Sequence, residues 1–541
     1  MTTPFTGSPL SRRQFLHRGM LAAAGAGLAG TRSLWAHSEF VPAIVIGSGF
    51  GGAVAALRLG RAGIDTVVLE RGRRWPIRPD GNTFATFEQP DGRAYWLRDH
   101  TAEAILGLPQ LEKPIDRYSG VLEVVEGNGM YVGAGAGVGG GSLVFNAIIV
   151  KPRREIFERT LPREIDFDEM EEVYYPRVRR MIRSSPIPDD ILATDYYLSS
   201  RVSCDQATTA GFATRPVDLA IDWDIVRDEI AGRRVPSAIA GQSFYGLNSG
   251  AKRSLDRNYL PRAVATGHVE ILPLHDVTAI ARGPGGRYVV TVARLTDEGE
   301  IVGTPRRMVC KYLFLAAGSM ATTGLLVRAR ETGTLPALNH HIGQHWAANG
   351  DIPVIRGLLP PTNAGTGGPG GHFLMEDLDN PIQPTSLVEI VLPPHINAAL
   401  SAVGAPPHFA NYASLGIPPA IGAFAYDAAT DRVSLNWPAT DPRLGNFLAA
   451  AQHTLGVLDQ ANGSMTLSFN PAVSAHPLGG AVLGRACDID GRVKRHPGLY
   501  VVDGALIDGS TGLANPSFTI AALAERGMER ILSRDGLTNR G

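Results

Sequence analysis

Residues 41–70 restrict the fold more than any other stretch of the chain. Residues 41–46 (VPAIVI) are almost wholly apolar, the pattern of a short strand buried on both faces of a parallel sheet. Gly47-Ser48-Gly49-Phe50-Gly51-Gly52 then fits G-x-G-x-x-G. Residues 53–61 are small and helix-forming, and residues 64–69 (IDTVVL) make a second strand ending at Glu70, 23 residues after Gly47. Each position has a physical task. Gly47 permits the tight turn, Gly49 lets backbone approach a pyrophosphate, and Gly52 lets helix and strand pack closely. The helix start offers free N–H groups and the positive end of a dipole. Glu70 can accept hydrogen bonds from a ribose diol. A carboxylate there repels the 2′-phosphate of NADP, while NAD and FAD both stay open.

The chain of 541 residues is long enough for about three domains or two large ones. Its apolar content of 44% excludes disorder as the main state. Lys+Arg number 51 against 52 Asp+Glu, so no basic excess exists to neutralise a nucleic-acid backbone. Three cysteines, Cys204, Cys310 and Cys487, are too few and scattered for a disulfide framework or a Cys-rich metal site. The adjacent His340 and His341 read as surface residues, and no metal site is expected. Glycine is in excess, 63 residues, against the usual ~7%. Six of those glycines fall in residues 133–141, between the apolar triplets 130–132 and 143–145, which points to a buried glycine-rich loop.

Near the C-terminus, residues 499–502 (LYVV) read as a strand ending in Asp503-Gly504. Asn515-Pro516 then opens a helix to about residue 532, with Asn515 as N-cap and proline in the first turn. At the other end, Ser11-Arg12-Arg13-Gln14-Phe15-Leu16 is a twin-arginine pattern. An apolar stretch of small residues follows at 20–30, with a cleavage-like Leu34-Trp35-Ala36. Eleven residues are too short to span ~30 Å of hydrocarbon. Residues 1–38 are therefore expected to be a twin-arginine signal peptide that engages the twin-arginine export machinery, giving a secreted or periplasmic product. Removing residues 1–36 takes away four arginines and no acid, shifting the formal charge from −1 to −5.

With these motifs in place, the sequence resembles the non-covalent FAD cholesterol oxidases of the glucose–methanol–choline (GMC) oxidoreductase family. The matching stretches begin at Val41 (VPAIVIGSGFGGAVAALRLGRAG), Val138 (VGGGSLV), Leu326 (LVRARETGTLPALN), Ala475 (AHPLGG) and Gly491 (GRVKRHPGLYVVDGALI). The resemblance implies an α/β fold, α+β overall: a Rossmann-like FAD-binding domain and a discontinuous substrate-binding domain on a mixed or antiparallel sheet. Residues 39–155, 255–345 and 465–541 are assigned to the first, and 156–254 and 346–464 to the second. Residues 357–371 and 404–419, rich in Pro and Gly, read as loops over an apolar pocket, and residues 433–437 as part of a sheet in the second domain.

The resemblance also assigns roles. His476 takes the family's base position, Asn515 its flavin-side asparagine, and Glu389 its acid for double-bond isomerisation. Phe50 and Glu70 would hold the AMP half of non-covalent FAD and Val277 the adenine, with Gly47, Gly49 and Gly52 counted as cofactor-binding through the fingerprint turn. Gly141, Asn146, Ile148, Gly504, Asn515 and Phe518 would meet the rest. The chain departs from the family at three points. Phe145 stands where Asn is usual, with Asn146 one residue later. One extra residue precedes Asn515, and Ser517 separates the NP pair from Phe518. The implied reaction oxidises a 3β-hydroxysteroid to the 3-ketone, with molecular oxygen as acceptor and hydrogen peroxide as product, followed by isomerisation to the 4-en-3-one. A sterol substrate would bring transient contact with a membrane surface. An alcohol dehydrogenase of the same family using another alcohol or acceptor, and a flavin redox carrier without turnover, are the alternatives.

Chemically, alcohol oxidation needs a base within hydrogen-bond reach of the hydroxyl, and imidazole, with a pKa of about 6.5, suits that task. Glu389 lies in an apolar run (SLVEIV, 386–391), where burial raises a carboxyl pKa.

Overall fold

Strand Phe40–Ile46 enters the glycine turn, helix Phe50–Arg61 leaves it, and strand Thr66–Glu70 returns parallel to the first. The computed structural model describes residues 39–103, 111–357, 359–363, 365–391, 398, 401–402 and 408–537. The proposed signal segment, 1–38, lies outside the described residues.

The fingerprint strands sit at the centre of a seven-stranded sheet. Its order is Val269–Pro273, Thr66–Glu70, Phe40–Ile46, Arg306–Leu315, Tyr288–Arg294, His275–Arg282, with Leu499–Val501 added alongside Arg306–Leu315. The first four strands and Leu499–Val501 pair in parallel, whereas the last two form an antiparallel ribbon. The helix Phe50–Arg61 is covered on nearly every side, by helix Pro516–Arg534 and helix Tyr259–Val264. That burial explains its run of Gly and Ala: larger side chains would hold the helices apart. Close approach shows at Gly51, where a Cβ would lie 1.9 Å from the Val502 carbonyl oxygen, and at Gly52, where it would lie 2.1 Å from the Gly47 carbonyl oxygen.

A second, six-stranded sheet is antiparallel throughout. Its order is Met465–Phe469, Ile352–Gly357, Ala410–Leu415, Thr385–Ile390, Gly370–Asp377, Ala213–Pro216. Strand Met465–Phe469 thus hydrogen-bonds into this sheet, although residue 465 was assigned to the nucleotide-binding segment. Of the stretch 404–419, residues 404–407 lie outside the described residues, and the rest is not simply a loop: Ala410–Leu415 is a strand buried at every position. Its proline- and glycine-rich flanks hid a short strand that the sheet covers on both sides. The 433–437 segment does form a strand, Arg432–Asn436, but it pairs with Ala423–Asp427 and, by a single bridge at Asn436, with Asn128, not with the six-stranded sheet. This hairpin lies against helix Gly318–Glu331, fixed by the Arg328–Asp431 ion pair.

A three-stranded sheet links the two regions. Leu122–Gly127 pairs with Met130–Gly135, and Val473–Ser474 lies parallel to Met130–Gly135. Because these strands run the same way, the glycine loop after Gly135 and the His476 segment after Ser474 leave the sheet on the same side. Among the described residues no helix is long and apolar enough to cross a membrane.

Candidate active site

The nucleotide end is built where two glycine loops meet. Glu70, buried at the end of its strand, accepts from the Ser48 backbone N–H (3.0 Å), the Ser48 hydroxyl (2.7 Å) and the Gly72 N–H (2.9 Å). Burial still pushes its carboxyl pKa up, against these three bonds. The Ser48 oxygen in turn accepts from the Gly139 N–H at 3.0 Å, tying the loop at 137–141 to the fingerprint. Gly140 backs onto Gly49, where an added Cβ would come within 2.7 Å of the Gly49 Cα. At Gly49 and Gly141 no protein atom lies within 4 Å of the position a Cβ would take. The first turn of helix Phe50–Arg61 has no side-chain cap, leaving its N–H groups to a ligand. An open strip of glycine backbone, an uncapped helix start and a buried carboxylate fit an adenine dinucleotide.

Further along, Phe50 meets Phe145 edge-on at 5.6 Å between ring centroids. Asn146 follows, half-buried, with its side-chain oxygen unpartnered. Ile148 is buried in a two-residue strand paired with Asp218–Leu219. The bend carrying these residues is held by a residue that no motif revealed. Lys252 donates to the carbonyls of Leu143 (3.0 Å), Phe145 (2.8 Å) and Ser243 (2.9 Å). Burial pushes its ammonium pKa down to about 7. Gly504 opens a short turn below Pro477 and Leu478, positioned by the Asp503 carboxylate, which accepts from Ala505, Gly318 and Thr322. Val277 lies half-buried on the antiparallel ribbon, opposite Val292. Phe518 is buried, its ring 4.8 Å from that of Tyr175.

At the other end, His476 and Asn515 come together. Asn515 occupies the N-cap position of helix Pro516–Arg534 but makes no side-chain cap bond. Its Nδ2 instead lies 3.4 Å from His476 Nε2, and its Oδ1 is buried without a partner. The capping role expected of this side chain is therefore not taken; its amide is turned toward the imidazole. His476 is placed from below by Asp351, whose Oδ2 accepts from the Ala475 N–H at 2.9 Å and lies 3.3 Å from His476 Nδ1 without hydrogen-bond alignment. Strand Leu478–Gly479 pairs with Trp346–Ala347, fixing the His-Pro-Leu-Gly-Gly segment. Gly479 and Gly480 pack on protein: added Cβ atoms would meet the His345 oxygen at 1.9 Å and Thr323 Oγ1 at 2.1 Å.

Asn349 fixes the loop with the extra residue before Asn515. Its amide donates to the Ala514 carbonyl at 2.8 Å and accepts from the Thr511 N–H at 2.8 Å. Ser386 holds the same loop by donating to the Leu513 carbonyl at 2.9 Å. Ser386 and Glu389 share strand Thr385–Ile390.

Glu389 is 3% exposed. Its Oε1 accepts from the Ser199 hydroxyl, while Oε2 has no hydrogen-bond partner. Burial pushes its pKa up to about 7, against lowering by the Ser199 and Ser200 hydroxyls. A Cβ at Gly371 would lie 2.8 Å from Glu389 Oε2, and one at Gly370 would touch Ile148 at 2.7 Å and the Asn146 carbonyl at 3.1 Å. The Gly370-Gly371 backbone therefore lies between Glu389 and the Asn146–Ile148 segment. Lys252, Asp351, Asn349 and the serines of helix Leu198–Thr209 carry no local motif. Only Ser199, Ser200 and Ser203, at one- and four-residue spacing on a helix, leave a trace in the sequence as a hydroxyl stripe. Among the described residues no cluster of three or more His, Cys, Asp or Glu could hold a metal.

Residues 43–345 and 445–524 match family profiles described as GMC oxidoreductase. A cholesterol oxidase of Mycobacterium tuberculosis (strain ATCC 25618 / H37Rv) is 26% identical over 564 residues, covering 89% of each chain. A cholesterol oxidase of Acinetobacter baumannii is 24% identical over 561 residues, covering 91% of this chain and 95% of its own. Among solved structures, a pyridoxine 4-oxidase from Mesorbium loti superposes with a TM-score of 0.59 at 14% identity, over 91% of this chain and 99% of its own. A fungal aryl-alcohol oxidase gives 0.60 at 14% identity, over 92% and 100%. The matched profiles take in both the fingerprint and the His476–Asn515 pair, and the chain belongs to the GMC oxidoreductase family of FAD-dependent alcohol oxidoreductases, whose members bind FAD non-covalently.

Proposed function

We propose that this enzyme oxidises a 3β-hydroxysteroid to the 3-ketone, with oxygen as final acceptor and hydrogen peroxide as product, and isomerises the product to the conjugated 4-en-3-one. The observation that carries the steroid reading is Glu389: a buried carboxyl with one unpartnered oxygen, beside the segment expected to meet the flavin. Simple alcohol oxidation has no use for it. Isomerisation needs one group to take a proton from C4 and return it at C6, and a carboxyl with a pKa near 7 can do both.

In the oxidation, His476 takes the hydroxyl proton, directly or through a water, while the Asn515 amide, 3.4 Å from Nε2, orients the alcohol oxygen. Bound FAD supplies the acceptor for the hydride of the carbinol carbon. Asp351 fixes the backbone before His476 through the Ala475 N–H and places its carboxylate beside Nδ1. The glycine backbone at Gly49 and Gly141, with Glu70, holds the cofactor's nucleotide portion. The twin-arginine pattern at residues 11–16 supports export of the folded, loaded enzyme to a secreted or periplasmic location, where sterol is drawn from a membrane surface.

Anaerobic mixing of the purified yellow enzyme with 3β-hydroxysteroids and with a panel of other alcohols tests this reading. Bleaching by the steroids, with the ultraviolet band of a conjugated enone on admitting air, is expected. Bleaching only by other alcohols would overturn the steroid assignment; no bleaching by any alcohol would point to a redox carrier.

A further inference from the structure

Helix Leu198–Thr209 lays a stripe of hydroxyls, Ser199, Ser200 and Ser203, against the antiparallel sheet, all three buried. They face the strands that carry Glu389, His372 and Tyr412. Ser203 meets the Tyr412 hydroxyl at 2.7 Å, and Tyr412 stands opposite Glu389 in the sheet. Ser200 has the most unusual surroundings. Its oxygen accepts from the His372 backbone N–H at 3.0 Å and lies 2.7 Å from His372 Nδ1. On its other side is Gly371, which lacks a side chain to block the way: the Cβ position there is 3.1 Å from Ser200 Oγ and 2.8 Å from Glu389 Oε2, the oxygen with no partner. His372 is partly exposed.

We propose that Ser200 and His372 form a proton relay that connects the buried Glu389 carboxyl to solvent. A serine oxygen has two lone pairs and one proton. One lone pair is taken by the His372 N–H. The second is free for the Glu389 O–H once that carboxyl turns toward the gap at Gly371, and the serine proton points to His372 Nδ1. Transfer breaks Oε2–H and forms Oγ–H, while the original Oγ–H breaks and Nδ1–H forms. The imidazolium then releases its Nε2 proton to water, and the reverse path recharges the carboxyl. Neutral imidazole is the receptive form, and desolvation lowers the His372 pKa, with Asp205 opposing and Arg201 assisting. The other polar groups around Glu389 are Ser199, which donates to Oε1, the buried Tyr412 and the partly buried Cys204, the last two with pKa values raised by desolvation and so protonated at neutral pH.

This deepens the steroid reading and rests on it only for the use of the relay. Whichever proton Glu389 takes from C4 can return to C6 or be exchanged with solvent, so the relay sets how much solvent hydrogen enters the product.

The test is exchange at the carboxyl itself, which needs no steroid. The holoenzyme at slightly acid pH is mixed rapidly with D2O. The infrared C=O band of protonated Glu389, assigned by its loss in Glu389→Gln, is followed as it shifts. Ser200→Ala and His372→Phe are expected to slow the shift about tenfold or more, and Ser200→Thr, which keeps the hydroxyl, to restore it. Equal rates in all four proteins would overturn the relay. In a second arm, the conjugated ketone formed in D2O should carry less deuterium at C6 in Ser200→Ala than in the parent enzyme; equal deuterium would overturn the relay's part in turnover. A slowed infrared shift in an enzyme that converts no steroid would leave the relay standing and remove the steroid reading.

Discussion

Asn515 holds its amide nitrogen 3.4 Å from His476 Nε2 instead of capping the helix it begins. A free cap site typically costs about 1 kcal/mol relative to a satisfied one. The side chain is held away from the backbone by a loop that is itself tied down, through Asn349 and Ser386. Local helix stability is given up so that two polar groups, each with a buried atom left unpartnered, face one small volume.

His476→Gln should slow anaerobic bleaching by the alcohol substrate about 10²–10⁴-fold, the usual contribution of a positioned base. FAD content, read from the visible spectrum, should be unchanged. Near-normal bleaching would remove His476 from proton transfer.

Asn349→Ala should act on the same step from a distance. It removes the side chain that accepts from Thr511 and donates to Ala514; the Ala514 carbonyl keeps the Thr511 hydroxyl, but the buried Thr511 N–H is left unpaired at a cost of about 1–3 kcal/mol. A lowered melting temperature is expected together with a lower kcat. Lowered stability with unchanged kcat would show that the loop does not position Asn515.

Glu389→Gln should leave oxidation intact and release the unconjugated ketone, separable by its missing enone band. The carboxyl pKa of about 7 lies above the ordinary 4.5, so the folded state holds this proton more tightly than the unfolded chain. The stability this lends is present below pH about 4.5 and lost as pH rises to about 7, an effect on the order of 3 kcal/mol. Denaturant titrations should show Glu389→Gln lacking that part of the pH dependence. As isomerisation needs the carboxylate, the conjugated fraction of the product should rise with pH through about 7 in the parent enzyme.

Two glycines of the fingerprint should behave differently when changed to alanine. Gly52→Ala drives a methyl group to 2.1 Å from the Gly47 oxygen; such overpacking costs about 1–3 kcal/mol or more and should appear as loss of folded protein. Gly49→Ala meets no protein atom within 4 Å. It should fold normally but lose FAD on dilution or gel filtration. Full FAD retention in Gly49→Ala would show that the cofactor does not approach this backbone.

The nucleotide-binding unit was legible because its determinants are local. A tight turn, a close helix–strand contact and a terminal carboxylate follow from backbone sterics within thirty or so residues, and the strand at residues 499–501 and the NP helix were readable for the same reason. The substrate-side sheet was harder. Ala410–Leu415 was masked by its proline- and glycine-rich flanks, and the hairpin at Arg432–Asn436 shows the same alternation whichever body it packs on. An apolar run could place Glu389 in a strand. Its raised pKa comes from burial by distant segments, against the hydroxyl of Ser199, 190 residues away in sequence, and Gly371 leaves space beside Oε2. The orientation of Asn515 likewise turns on Asn349 and Ser386. Sequence alone determined where the chain turns and which residue types stand ready, since those follow from short-range sterics and hydropathy. The tertiary structure decided which polar groups stay unpaired and face each other, because desolvation and hydrogen bonding at a buried atom are set by whatever distant segments pack around it.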